Sequence, residues 1–317
     1  MKHPFRRLAI LIALVTAPAA QAAPNVLADV PPIHAIAARV MAGVGTPGLI
    51  LPPGSDPHSA ALRPSEARAL ADADLVIWTG PALTPWLERA LDALAGDARH
   101  LALMETPGLV LLDLRRDAAF APPGGAHEHD HDHDHDHAPG ADAESHADTA
   151  AMDPHIWLDS ANAARIAEAI AGQLSTLDPA GAETYAANAR AFAGDLESLE
   201  VAVADALPDP GTTLVVTHDV LQYFEAHFGL TVRGAIAPGD ASAPGAARLR
   251  QIGDWLSGPS CILAEPQLGD GFARSLAEDH GAKVVIIDPL GLQLPTGAEL
   301  YPALMNGLAT AIGSCED

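Results

Sequence analysis

The chain has 317 residues, 49% of them hydrophobic and only 4% aromatic, which is enough for two α/β lobes of ordinary size with aliphatic cores. Asp and Glu number 41 against 17 Lys and Arg, a formal net charge of −24. That balance excludes nucleic acid and anionic membrane surfaces as partners and suits a collector of cations, although many acidic proteins bind no metal.

The N-terminus reads as an export signal. Lys2, Arg6 and Arg7 supply a charged start, residues 8–15 an apolar run, and Ala20-Gln21-Ala22 a small-x-small cleavage site. Residues 1–22 are therefore expected to be removed, with the mature chain beginning near Ala23. The run is shorter than the ~20 residues that span a bilayer, and position 23 is not the cysteine of a lipid-anchored start.

Beyond it, strands and helices alternate. Residues 25–30 predict a strand, 33–41 a helix, and 48–51 a strand that enters a Pro-Pro-Gly loop. A helix follows at Pro64-Ser65-Glu66, with Ser65 as its expected N-cap. Residues 75–78 are a buried strand and 83–94 a helix. The rhythm implies βαβ units and mostly parallel sheets.

Residues 121–151 interrupt it. They are rich in Pro, Gly, Ala, Asp and His and hold almost no large apolar side chain, so a disordered insertion is expected. Ser160 then opens a helix with Ile166, Ile170, Leu174 and Leu177 on one stripe. A longer helix is expected over 183–207, where Tyr185, Ala189, Phe192, Leu196, Leu199 and Val203 make one continuous apolar face. At ~1.5 Å per residue it would be roughly 36 Å long, enough to join two lobes. Strands are expected at 214–217, 231–236, 261–264 and 283–287, with helices between them and a last helix over 298–312.

Three histidines share a context. His58 follows Asp56-Pro57, His155 follows Asp153-Pro154, and His218 lies between Thr217 and Asp219, each next to a strand end or a helix start. Ligands of open α/β sheets bind at such carboxyl ends, and three converging imidazoles would suit Zn²⁺. A single loop histidine is as readily a surface or capping residue, and composition leaves both readings open. Cys261 and Cys315 are an even pair in an exported chain, which favours a disulfide, and they lack the close spacing of a thiolate zinc site.

The motifs taken together resemble a known family. They are Pro53-Gly54-Ser55-Asp56-Pro57-His58, Leu62-Arg63-Pro64-Ser65, the stretch 71–80, the stretch 153–158, Thr217-His218-Asp219-Val220 with Tyr223 and Phe224, Ala264-Glu265-Pro266-Gln267, and Asp288-Pro289-Leu290-Gly291. In this order they resemble the metal-specific solute-binding proteins of bacterial ABC importers, the zinc members of the ZnuA type most closely.

The resemblance implies an α/β fold of two lobes with mostly parallel sheets, joined by one long rigid helix. The divisions would be 23–182 for the N-terminal lobe, 183–207 for the linking helix and 208–317 for the C-terminal lobe. It implies one tight Zn²⁺ between the lobes, with His58 and His155 from the first and His218 from the second. Manganese relatives usually carry a carboxylate at the position of His218, and imidazole there favours zinc. Asp288 matches a carboxylate that is a ligand in several members and is the expected fourth donor, with water as the alternative. Pro57 stands where some zinc relatives carry glutamate. Glu265 is expected beside the cleft as a supporting acid, and the two cysteines match a disulfide of certain zinc members.

His127, His129, His131, His133, His135 and His137 alternate with acids and match the family's His-rich loop, with weak additional zinc sites expected there. The implied partners are a membrane permease with its cytoplasmic ATPase and, as a further candidate, a periplasmic metallochaperone. The implied setting is the periplasm, and one chain would be the working unit. The competing readings are a manganese-type relative, a periplasmic zinc buffer, and a zinc hydrolase. The last would need an H-E-x-x-H pair in a helical context or a nucleophile elbow, and the chain offers neither.

Overall fold

The computed structural model describes residues 23–51, 54–115, 119–120, 151–207, 211–237, 244–256 and 258–316. The expected signal and the His-rich run lie outside them. The first half supplies β1 (Val26–Ala28), α1 (Pro31–Val40), β2 (Gly48–Leu49), α2 (Pro64–Ala71), β3 (Leu75–Trp78), α3 (Pro85–Leu94) and β4 (Arg99–Ala102). Then come α4 (Ser160–Leu177) and α5 (Ala182–Ala206). The second half supplies β5 (Thr213–His218), α6 (Gln222–Phe228), β6 (Val232–Ala237), α7 (Ala246–Trp255), β7 (Ser260–Ala264), α8 (Gly271–His280), β8 (Lys283–Ile286) and α9 (Leu300–Gly313).

The strands form two parallel four-stranded sheets, ordered β2-β1-β3-β4 and β6-β5-β7-β8. Both orders step to one side and then cross back, which leaves a switch point between β1 and β3 and another between β5 and β7. Helices cover both faces, so central strands such as β3 and β7 are buried at every residue, and β3 reads as an unbroken apolar run. The pleat sends Leu75 and Ile77 inward and Val76 and Trp78 outward against α2 and α3.

The inward residues of both sheets join a single core, in which Ile77 and Leu263 belong to the same cluster as Ile166, Phe192 and Leu308. The buried residues of α5 are Tyr185, Ala189, Phe192, Leu196, Leu199 and Val203, the whole of the expected stripe. Through that face α5 packs on α4, α1 and α9, so the long helix is seated in the core along its length. Cross-chain hydrogen bonds fasten the halves. Trp157 Nε1 donates to the Pro289 carbonyl (2.9 Å), and Tyr301 donates to the Trp157 carbonyl (2.8 Å). Cys261 on β7 and Cys315 after α9 form a disulfide.

Two local expectations are corrected. Ser65 is not the N-cap of α2. Pro64 takes the first helical position, for which its fixed φ suits it, so Arg63 becomes the cap and Glu66 reaches back to accept its amide at 2.7 Å. The strand β4 was not expected, because Arg99 and His100 at its start are exposed and break the apolar pattern.

A further junction joins three elements at His227, near the end of α6. Its Nδ1 lies 3.1 Å from Asp159 Oδ1, at the start of α4, and its Nε2 lies 3.2 Å from Glu200 Oε1 of α5. Ser160 Oγ sits 2.7 Å from the same Nε2. The hydrogen bond to Asp159 raises the histidine's pKa more than burial lowers it, and the charge of Glu200 adds to the rise. A raised pKa contributes stability that is fully present below the unfolded value of about 6.5 and is lost as pH rises through the folded value. His227→Gln should therefore lower the melting temperature at pH 6 by roughly 2–4 °C, for about 1 kcal/mol, and by less at pH 9. An equal deficit at both pH values in thermal melts would show that the imidazolium charge is irrelevant.

Candidate metal centre

The two Asp-Pro-His motifs fold alike. In each, the aspartate two residues ahead of the histidine accepts its backbone amide: Asp56 Oδ1 from His58 at 3.0 Å, and Asp153 Oδ1 from His155 at 2.9 Å. These Asx turns aim the imidazole that follows. Trp86 Nε1 donates to the Pro57 carbonyl at 2.7 Å and pins the His58 turn to α3. His155 precedes a short 3₁₀ turn, Ile156–Leu158, that leads into α4. His218 is the last residue of β5 and Glu265 follows β7, so the pair stands at the switch point of the second sheet.

The three imidazoles converge. One nitrogen from each of His58, His155 and His218 lies within 4.8 Å of the other two, and ring centroids are 5.1–5.9 Å apart with the rings edge to face. Zinc–nitrogen bonds of about 2.0–2.1 Å in a tetrahedron would draw these atoms slightly closer, a matter of small side-chain rotations.

The protonation states suit a cation. Burial first, and then the neighbouring imidazoles, push His58 down to about 3. Burial, with His218 beside it, pushes His155 down to about 3. Both rings are neutral near pH 7 with lone pairs free. His58 Nε2 is buried and has no hydrogen-bond partner among the described residues, which is costly for a polar atom unless something binds it. Asp153 Oδ1 lies 2.8 Å from His155 Nδ1, and Glu265 Oε1 lies 3.1 Å from His218 Nδ1. A carboxylate facing Nδ1 keeps the proton there, orients the ring and leaves the Nε2 lone pair for a metal. Burial pushes Asp153 itself up to about 7, against the lowering effect of the His155 amide. Glu265 thus lies beside His218, where a supporting acid is expected, and is held in turn by Gln267 Nε2 at 2.6 Å. The matching role of Asp153 was hidden inside its motif.

Asp288 lies outside the converging group. Its Oδ1 accepts from the Leu292 amide (3.0 Å) and its Oδ2 from the Gln293 amide (2.8 Å), closing a turn. His127, His129, His131, His133, His135 and His137 lie outside the described residues. Of the histidines read as packing or surface residues, His34 donates to the Pro47 carbonyl and His100 to the Ala95 carbonyl. His227 occupies the charged junction described above.

Comparison with known proteins identifies the family. Residues 26–315 match the family model described as "ZnuA: Zinc-uptake complex component A periplasmic". A "High-affinity zinc uptake system protein ZnuA" of Paracoccus denitrificans is 39% identical over 322 residues, covering 97% of this chain and 96% of the relative. A protein of the same description from Brucella abortus is 35% identical over 308 residues, covering 92% and 91%. A solved structure described as "Crystal structure of ZnuA" superposes with a TM-score of 0.73 over 93% of this chain and 100% of that one. At 23% identity, that match speaks for the fold alone.

Proposed function

This chain belongs to the ZnuA family of periplasmic zinc-uptake components, and from that premise we propose that it captures Zn²⁺ in the periplasm and delivers it to the membrane permease of an ABC importer, driven by a cytoplasmic ATPase. The observation that carries the proposal is the convergence of three imidazoles, two buried and one half-buried, with no carboxylate joining them among the described residues. Such a nitrogen set suits zinc, whereas Mn²⁺ prefers oxygen donors. His58 and His155 come from the N-terminal lobe (23–182) and His218 from the C-terminal lobe (208–317), so one chain holds the whole site. Among the described residues, no helix is long and apolar enough to cross a membrane.

We assign the fourth position to water. Asp288 would have to give up two backbone hydrogen bonds to reach it, and solvent has no such cost. The work of the site is binding and release rather than catalysis. The His-rich run adds weaker, interchangeable zinc sites that concentrate the ion near the chain.

The test is metal analysis of mature protein with and without residues 127–146. The full chain should retain one tight Zn²⁺ and additional weak ions, and the deletion should remove only the weak ones. Loss of the tight ion on deletion would overturn the three-histidine assignment.

A further inference from the structure

The segment that leads up to His155 is hydrogen-bonded to an earlier stretch of chain ending at Arg115. Leu114 N donates to the Ala151 carbonyl (2.9 Å), Asp153 N donates to the Leu112 carbonyl (2.8 Å), and Asp113 pairs antiparallel with Met152. Arg115 then turns toward the second sheet. Its Nε lies 2.9 Å from Asp219 Oδ2 and its Nη2 lies 2.5 Å from Asp219 Oδ1, a two-pronged contact. The same Nη2 lies 2.7 Å from Glu225 Oε1. The Phe120 ring covers the guanidinium at 3.5 Å, and Phe120 is itself tied to β6 by its amide on the Arg233 carbonyl.

Asp219 directly follows His218, and its side chain is 2% exposed. Glu225 continues the tie, since its Oε2 accepts the Val232 amide at the start of β6. Tyr223 closes the circuit from the other side, accepting from Leu112 N (3.1 Å) and donating to the Asp153 carbonyl (3.0 Å). One planar, permanently charged fork therefore spans from the backbone flanking His155 to the residue next to His218. Those are the two sides that must stay a fixed distance apart if both imidazoles are to face one ion. A guanidinium suits the task because its donors are rigidly disposed and match a carboxylate in pairs.

We propose that Arg115 is a positioning residue for metal capture, setting the separation of His155 and His218 through its paired contact with Asp219. The proposal rests on the reading that these histidines hold the ion.

The test compares wild type, Arg115→Gln, Arg115→Lys, Asp219→Asn, the Arg115→Gln/Asp219→Asn double variant and His155→Ala. Zn²⁺ affinity is measured by chelator competition, and the visible spectrum is recorded after loading with Co²⁺ alone. Arg115→Gln should weaken zinc binding about 10- to 100-fold, as changes behind a ligand typically do. It should also reduce the intense absorption of four-coordinate Co²⁺, a signature that mere loss of stability would not move. Arg115→Lys, which keeps the charge and loses the fork, should recover part of both. It carries the test if Arg115→Gln fails to fold. The double variant should be no worse than the stronger single variant, because both act through one contact. Wild-type affinity and an unchanged Co²⁺ spectrum in Arg115→Gln, or fully additive losses in the double variant, would overturn the proposal. Wild-type affinity in His155→Ala would instead overturn the underlying site assignment.

Discussion

Replacing His218 by alanine should abolish tight zinc binding while leaving the fold in place. Among the described residues, His218 is the one converging imidazole that the second sheet contributes, and it ends β5 at that sheet's switch point. Without it, two imidazoles from the first half remain, and the ion no longer links the halves. The expected loss exceeds about 100-fold, the upper end of what is lost when only a partner behind a ligand is changed. His58→Ala and His155→Ala should fall in the same range, since each also removes one of three nitrogens. The fold should survive because the core that joins the sheets is aliphatic and aromatic and contains none of the three histidines. Competition against a chelator of known affinity, with circular dichroism as the control for folding, measures this. A His218→Ala protein that binds zinc as wild type does would mean the ion is not held between the two halves.

Removal of the disulfide should cost stability and spare the site. Cys261 and Cys315 are separated by 54 positions, and both are buried in the second half. The closed loop holds α8, β8 and α9. In the chain-entropy account a loop of this size stabilises by about 4 kcal/mol, a fall of roughly 10 °C in melting temperature for a chain of this length. Replacing both residues by alanine avoids leaving a buried hydroxyl without a partner. Zinc affinity should change by less than a few-fold, because neither cysteine lies in the histidine cluster or supports one of its members. Thermal melts of the double variant beside oxidised wild type decide the first part and chelator competition the second. An unchanged melting temperature would show that the bond constrains little, and a large loss of affinity would show that it shapes the site.

Much of the fold was legible because its determinants are local or periodic. The six-residue stripe of α5 follows from spacing alone, and strand β3 from an unbroken apolar run. The three histidines were legible through motif context, and the structure supplies the reason for the two Asp-Pro-His repeats: each aspartate caps the turn that aims its histidine. What escaped depends on partners distant in sequence. Arg115 and Asp219 are 104 positions apart, and nothing near either residue announces the other. His227 reads as an ordinary helix residue until α4 and α5 bring Asp159 and Glu200 to its two nitrogens. The strand β4 escaped for a different reason, since half of its short length faces solvent. Asp288 shows the reverse case, a motif residue whose side chain is engaged by its own turn.

The packing of α9 against α1 has a consequence for when such a chain can complete its fold. The first helix buries Ile33, Ile36 and Val40 in a core that the last helix completes with Leu304, Leu308 and Ile312. Contacts between opposite ends of a chain form late, because most of the loop-closure entropy must be overcome before they are made. During synthesis the N-terminal portion has no finished surface to dock on until the C-terminal residues have emerged. A chain built this way leaves its first helix without its full set of packing partners until the final helix has been made, and its core closes only when that helix arrives.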